Sequence, residues 1–101
     1  MSTATRNARR AAALRAIASS DHAYIGIRPA DATPAESPCI ILDGTTTEDL
    51  DTAEAAAANQ WPDAKQWAII ASDETTIKRD PTWPPRMRAL RAPVTLTSYP
   101  A

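Results

Sequence analysis

Residues 38–71 have the sequence PCIILDGTTTEDLDTAEAAAANQWPDAKQWAIIA and contain two apolar runs, 39–42 and 67–71, on either side of an acidic, alanine-rich run. Continuous apolar runs bounded by turn residues are typical of strands with both faces covered. The chain between the two runs is long enough for a helical crossover. This stretch therefore predicts a strand–helix–strand unit, and the rest of the chain is interpreted around it.

The central run predicts a well-defined helix. One of the threonines at 45–47 can cap its first turn, and Glu48, Asp49 and Asp51 follow where the positive end of the helix dipole favours carboxylates. Leu50, Ala53 and Ala57, at helical spacings of three and four residues, share one face, and Pro62 ends the helix. The outer face of this helix is expected to be acidic.

Outside this unit, the pattern predicts a first helix over 5–19, a strand over 23–27 and a proline-framed loop over 29–38. After the strand at 67–71, we expect a hairpin strand at 75–79, basic helical turns at 85–91 and a last strand from Val94. Tyr24, Ile77 and Val94 are assigned to the core. The predicted fold class is α+β: a two-layer α/β sandwich with a mixed four- to five-stranded sheet and two main helices on one face. Its order is α-β-β-α-β-β-(α)-β, within a single compact domain spanning residues 1–101.

Cysteine content and hydropathy limit the class of protein. Cys39 is the single cysteine, which excludes an internal disulfide framework and a zinc site built on cysteine pairs. No apolar run approaches the roughly twenty residues that cross a bilayer. We therefore expect a soluble protein of a reducing compartment, the cytoplasm, without membrane contact.

No catalytic or cofactor signature is present. His22 is the only histidine, and Cys39 precedes an apolar strand in a position typical of a small buried hydrophobe. The sequence Asp43-Gly44-Thr45 at the start of the helix could dock a phosphate, but the acidic residues of the next turn would repel it. Helical spacing also spreads the carboxylates too far apart for a metal site. We predict a protein that is not an enzyme and that needs neither metal nor cofactor.

Charge is distributed unevenly along the chain, although the net charge is only −1. Residues 1–28 are strongly basic, every ionised side chain in 29–63 is acidic, and the remainder is basic again. Two interpretations follow. Either the segments neutralise each other within one fold, or the acidic segment forms an outward patch that faces a partner. Carboxylates interleaved with arginines in ion pairs would remove the basis of the second interpretation.

From the second interpretation we predict a non-enzymatic interaction module, such as a small inhibitor encoded by a phage or mobile element. Its acidic loop and helix would dock on a basic, nucleic-acid-binding surface of a partner protein, with tryptophans next to prolines as anchors. The alternative, that those tryptophans pack at the edge of the core, is the interpretation that the sequence favours. The predicted partner-binding residues are Asp31, Glu36, Glu48, Asp49, Asp51, Glu54, Trp61 and Trp83.

Two further hypotheses concern other partners. The arginine-rich first helix, with Arg9 and Arg10, and the basic C-terminal segment around Arg86, Arg88 and Arg91 could converge to bind nucleic acid phosphates. An exposed edge strand over 94–99 could pair with a second copy to form a homodimer.

Overall fold

The computed structural model describes residues 3–77 and 79–101. Within these residues, two helices and five strands form a compact α+β fold, which confirms the predicted fold class. Among the described residues, no helix has the length and apolar character that spanning a membrane requires. The elements are α1 (Thr3–Ala18), β1 (Tyr24–Pro29), β2 (Pro38–Ile41), α2 (Thr47–Gln60), β3 (Gln66–Ser72), β4 (Met87–Ala89) and β5 (Val94–Pro100).

The five strands form one sheet in the order β4-β2-β1-β3-β5, and every neighbouring pair is antiparallel. β1 lies between β2 and β3, and α2 contacts both β1 and β2. The predicted strand–helix–strand unit is therefore present but split, because β1 is inserted between its two strands. This insertion is also why the sheet has no parallel neighbours, although a mixed sheet was predicted.

Both helices pack on the same face of the sheet, which we call the helix face. α1 contacts β5, and α2 contacts β1 and β2. Fully buried alanines on the helices let their backbones approach the sheet closely. The main core lies between these layers, and its largest fully buried members are Tyr99, Ile17, Ile27, Ile40, Leu50 and Ile69.

The start of α2 is fixed by a capping box. The Thr46 hydroxyl accepts a hydrogen bond from the Asp49 backbone N–H at 3.2 Å, and the Asp49 carboxylate accepts one from the Thr46 backbone N–H at 3.0 Å. The backbone N–H and the hydroxyl of Thr46 both donate to the Asp49 carboxylate, and these two bonds hold the pKa of Asp49 below its ordinary value. The predicted cap among the threonines is thus confirmed, and α2 ends at Gln60, just before Trp61 and Pro62.

The opposite face of the sheet, which we call the far face, is covered by extended chain. Leu90 is fully buried there against Cys39, Ala68 and Ile70. Thr75 forms an isolated bridge with Leu90, and the Ser72 hydroxyl donates to the backbone carbonyl of Arg91. The segment that connects β4 to β5 therefore crosses the sheet and closes this face without a third helix.

The predictions for 75–91 were wrong in detail. In the expected hairpin strand, Thr75 forms an isolated bridge with Leu90, the Thr76 backbone N–H donates to the Ala89 carbonyl, and Lys78 lies outside the described residues. β4 replaces the predicted helical turns because the free edge of β2 accepts it from Pro38 to Ile40. Ile77, assigned to the core, is 98% exposed, since the chain passes over the far face as a loop at this point. Val94, on the edge strand β5, is also exposed, and so is Tyr24 on the far face.

The loop between β1 and β2 is anchored by a buried arginine. Arg28 is only 7% exposed, and its Nη1 donates to the backbone carbonyls of Ala35 and Ser37, both at 2.9 Å. Burial lowers the pKa of Arg28 despite the neighbouring Cys39 thiol. The two carbonyl oxygens satisfy a cation that would otherwise be costly to bury, and they fix the loop at the end of the sheet.

Gly26 is required by the close approach of β1 and β2. A Cβ atom at this position would overlap the Sγ of Cys39 and lie 3.1 Å from its Cβ. Both residues are buried, so the neighbours have little room to move. We expect Gly26→Ala to lower the free energy of unfolding by about 1–3 kcal/mol, measured by chemical denaturation.

The control for this prediction is the same substitution in a Cys39→Ala background. Removal of Sγ should recover at least about 1 kcal/mol of the cost, because the closest clash is gone. An equal cost in both backgrounds would contradict the assigned contact.

Candidate functional site

The acidic side chains of α2 are paired with arginines of α1. Glu54 accepts from Arg6 Nη2 at 3.2 Å and from Arg10 Nε at 3.0 Å, and Asp51 forms an ion pair with Arg10. The basic and acidic segments of the sequence therefore neutralise each other where these two helices face one another. The fold therefore does not present the continuous acidic patch that was predicted over the β1–β2 loop and α2.

Glu54 also binds the edge strand. The hydroxyl of Tyr99, a fully buried residue of β5, donates to Glu54 Oε2 at 2.5 Å. Burial by itself would raise the pKa of Glu54, but the hydrogen bonds from Tyr99 and Arg10 and the charges of Arg10 and Arg6 hold it below its ordinary value. Burial, and then this same hydrogen bond, raises the pKa of Tyr99. Glu54 is thus ionised and Tyr99 neutral at physiological pH.

The other predicted carboxylates have separate environments. Asp49 belongs to the capping box, and Glu36 accepts from the backbone N–H of Ala92 at 3.1 Å. Asp31 and Glu48 are exposed, and neither makes an ion pair within residues 3–77 and 79–101. Asp31 lies beyond the end of β1, whereas Glu48 lies in the first turn of α2, so the structure does not bring these two together.

The two predicted anchor tryptophans are partly buried and pack against the main core. Trp83 lies in the connection before β4, where Arg79 Nη2 donates to its backbone carbonyl at 2.8 Å. Trp61 lies at the C-terminal end of α2 and lines two clefts. Trp61 is therefore both an edge-of-core residue and part of a solvent-facing surface.

The larger of these two clefts has a volume of about 730 Å³ and forms where the end of β1, the end of α2 and the start of β3 meet. The backbone N–H of Ala30 donates to the Gln66 carbonyl at 2.9 Å, which holds two of these segments together. We call this the Trp61 cleft. Its walls include Pro29, Asp31, Trp61, Pro62, Asp63 and Lys65.

The charge of the Trp61 cleft is net negative. Asp31 and Asp63 are exposed and form no ion pair within the described part of the chain, and Lys65 is the single cation among the lining residues. The C-terminal carbonyls of α2 end beside them, where the helix dipole adds negative potential. Apolar surface from Trp61 and the two prolines completes a site suited to a cationic group with an aliphatic stem.

The basic residues of the two chain ends lie on opposite faces. Arg88 is paired in register with Cys39, so its side chain projects on the far face, whereas α1 lies on the helix face. Arg86 pairs with Asp43, and Arg91 pairs with Glu74 at 3.4 Å. The first helix and the basic C-terminal segment therefore do not form one surface.

Cys39 and His22, the two residues with catalytic potential, have separate environments. Cys39 is fully buried on the far face, and burial raises the pKa of its thiol to about 12, so it carries no thiolate at neutral pH. His22 lies before β1, with its Nδ1 at 3.4 Å from an Asp73 carboxylate oxygen. Within residues 3–77 and 79–101, no three histidine, cysteine or acidic side chains are grouped as metal ligands.

Comparison of the chain with protein-family models, with curated proteins and with solved structures found no match. The site is therefore described from its own residues.

The prediction included Asp31 and Trp61 but not Asp63 or Pro29, which share the same cleft. One local signal was available, since Asp63 follows Trp61-Pro62 directly at the end of the predicted helix. Residues 61–63 lie next to the end of β1 because of the strand order, which the sequence pattern did not predict.

The ion-pair network around Glu54 predicts a pH dependence of stability. Because the pKa of Glu54 is lowered in the folded state, the unfolded state binds the proton more tightly. The stabilisation is complete above the ordinary glutamate pKa of about 4.3 and is lost as the pH falls through the folded-state value. We expect Glu54→Gln to lower the free energy of unfolding at neutral pH by about 1–3 kcal/mol. The difference from wild type should shrink on acidification.

Denaturant unfolding across the acidic range measures this difference. The matched control is Glu48→Gln, a substitution on the exposed side of the same helix, which loses only an exposed interaction with the helix dipole and should cost about 0.3–1 kcal/mol, less than Glu54→Gln. A Glu54→Gln variant as stable as wild type at neutral pH would contradict the role of the network.

Proposed function

We propose that this protein is a non-enzymatic interaction module that receives a basic segment of a partner protein at the Trp61 cleft. One observation supports the proposal above others: Asp31 and Asp63 remain uncompensated beside Trp61, while Asp51 and Glu54 are neutralised by arginines. Uncompensated charge beside exposed aromatic surface is available to a partner, and paired charge is not.

The cleft has the two components that a protein interface needs. Partly exposed carboxylates steer a basic partner and set its orientation, while contact with an aromatic ring supplies most of the holding energy. A lysine or arginine side chain could lay its stem on Trp61 and Pro62 and place its charge between the carboxylates. The Trp61 cleft is open to solvent, so it is better suited to one side chain of a large partner than to a small molecule that needs an enclosed site.

The partner class follows from this chemistry. A surface with closely spaced lysines and arginines is typical of nucleic-acid-binding proteins, and a small domain seated on such a surface would block it. The proposal therefore retains an inhibitor of a nucleic-acid-binding protein, of the kind that a phage or mobile element encodes, but moves the contact from α2 to the end of the sheet.

The proposal is tested by titrating the protein with a capped peptide of alternating lysine and alanine, with heat or tryptophan fluorescence as the signal. We expect binding that weakens with salt. Asp31→Asn combined with Asp63→Asn should weaken it by at least about tenfold, because two facing charges are lost. The matched control is Asp21→Asn, which removes an exposed carboxylate before the start of β1, at the opposite end of the strand.

Three results would overturn the proposal. These are no binding at low salt, equal binding by the double variant and the wild type, or loss of binding in Glu48→Gln alone. The last result would place the contact on the first turn of α2.

A further inference from the structure

A separate recess lies on the far face, at the opposite end of β1 from the Trp61 cleft. Its volume is about 280 Å³, and it is lined by residues from β1, β2 and the chain around β4. We call it the Tyr24 recess. The lining residues that carry its chemistry are Tyr24, Ile41, Thr75, Arg86 and Arg88, together with Asp43.

An aromatic ring and an aliphatic side chain form the apolar part of this recess. Tyr24 is 38% exposed, which is high for a tyrosine in the central strand of a sheet. Ile41 is partly buried and packs against the small far-face cluster of Leu90. The two side chains share a face, because Gly26, two residues after Tyr24, is paired in register with Ile41. A flat, partly solvated apolar surface is thus held on rigid strands.

Two guanidinium groups border this surface. Arg88 Nη1 donates to the backbone carbonyls of Pro85 at 2.6 Å and Met87 at 2.8 Å, which fixes the orientation of the side chain. Its Nε and Nη2 make no hydrogen bond within residues 3–77 and 79–101, so they remain available as donors. Arg86 is oriented by its ion pair with Asp43. With one carboxylate against two guanidinium groups, the recess has net positive charge.

We propose that the Tyr24 recess binds single-stranded nucleic acid, with one base stacked on Tyr24 and an adjacent phosphate held by the free Nε and Nη2 donors of Arg88. Aromatic surface for stacking, combined with cations that follow the backbone, is the usual composition of single-strand sites. The small volume fits one planar base better than a folded peptide segment. An acidic peptide would satisfy the arginines but would leave the exposed ring without a partner.

This proposal does not depend on the function assigned to the Trp61 cleft. The two sites lie at opposite ends of β1 and have opposite net charge. It also differs from a nucleic acid surface on α1, because the α1 arginines lie on the helix face and Arg88 lies on the far face.

The experiment measures the fluorescence anisotropy of a labelled oligothymidylate of about twelve nucleotides, titrated with the full chain at several salt concentrations. We expect Tyr24→Ala to weaken binding about tenfold and Tyr24→Phe to retain it, since stacking needs the ring and not the hydroxyl. Arg88→Gln should reduce the salt slope by about one. Circular dichroism and thermal unfolding of each variant establish that it is folded.

The matched control is Arg9→Gln, which removes an exposed arginine of α1 and should leave the affinity within about twofold of wild type. A second control is a duplex of the same length, which should bind more weakly because its bases are already stacked. The proposal is overturned by absence of binding at low salt or by equal affinity of Tyr24→Ala and wild type. It is also overturned by loss of binding in Arg9→Gln, or by a polyglutamate peptide that competes as well as the oligonucleotide.

Discussion

The carboxylate of Glu54 joins three elements that are far apart in the sequence. It accepts hydrogen bonds from Arg6 and Arg10 of α1 and from Tyr99 of β5, and it lies on α2. α1 is the first element and β5 the last, so one partly buried anion holds both against the central helix. The Arg6 guanidinium also lies 5.9 Å from the centre of the Tyr99 ring, within the range of a cation–π contact.

This network determines which charged side chains remain available to bind a partner. The arginine excess of residues 1–28 and the acidic excess of residues 29–63 meet at the α1–α2 boundary, where the charges largely cancel. Some of the charges that form no ion pair within the described residues lie at the two ends of β1. Asp31 and Asp63 border the Trp61 cleft after Pro29, and Arg88 borders the Tyr24 recess at the start of the strand. A nearly neutral protein thereby presents two small sites of opposite sign.

The local parts of the fold could be predicted because they depend on local patterns. The threonine cap, the acidic first turn and the proline after Trp61 determine α2, and continuous apolar runs determine β2 and β3. The insertion of β1 between them depends on non-local pairing, for which the sequence had no separate signal. The burial of Leu90 follows from the β4–β5 connection that crosses the far face, and the exposure of Ile77 follows from the course of the β3–β4 connection. A three-residue strand such as β4 exists only because the edge of β2 is available to pair.

The site was harder to predict than the fold, because its residues belong to separate segments. Asp31 and Trp61 were identified from charge and from position beside proline, but four other predicted carboxylates proved to be engaged within the protein: Glu36, Asp49, Asp51 and Glu54. Sequence showed that charges were separated along the chain. It could not show that α1 lies close enough to α2 for its arginines to reach them.

The most direct test of this account is a double-mutant cycle between Arg10 and Glu54. Arg10→Gln, Glu54→Gln and the double variant would be compared with wild type by their free energies of unfolding at neutral pH. If the network neutralises the acidic helix and fixes α1, the coupling energy between the two residues should be at least about 1 kcal/mol. Additive effects of the two substitutions would contradict the account, because α1 and α2 would then be independent in charge.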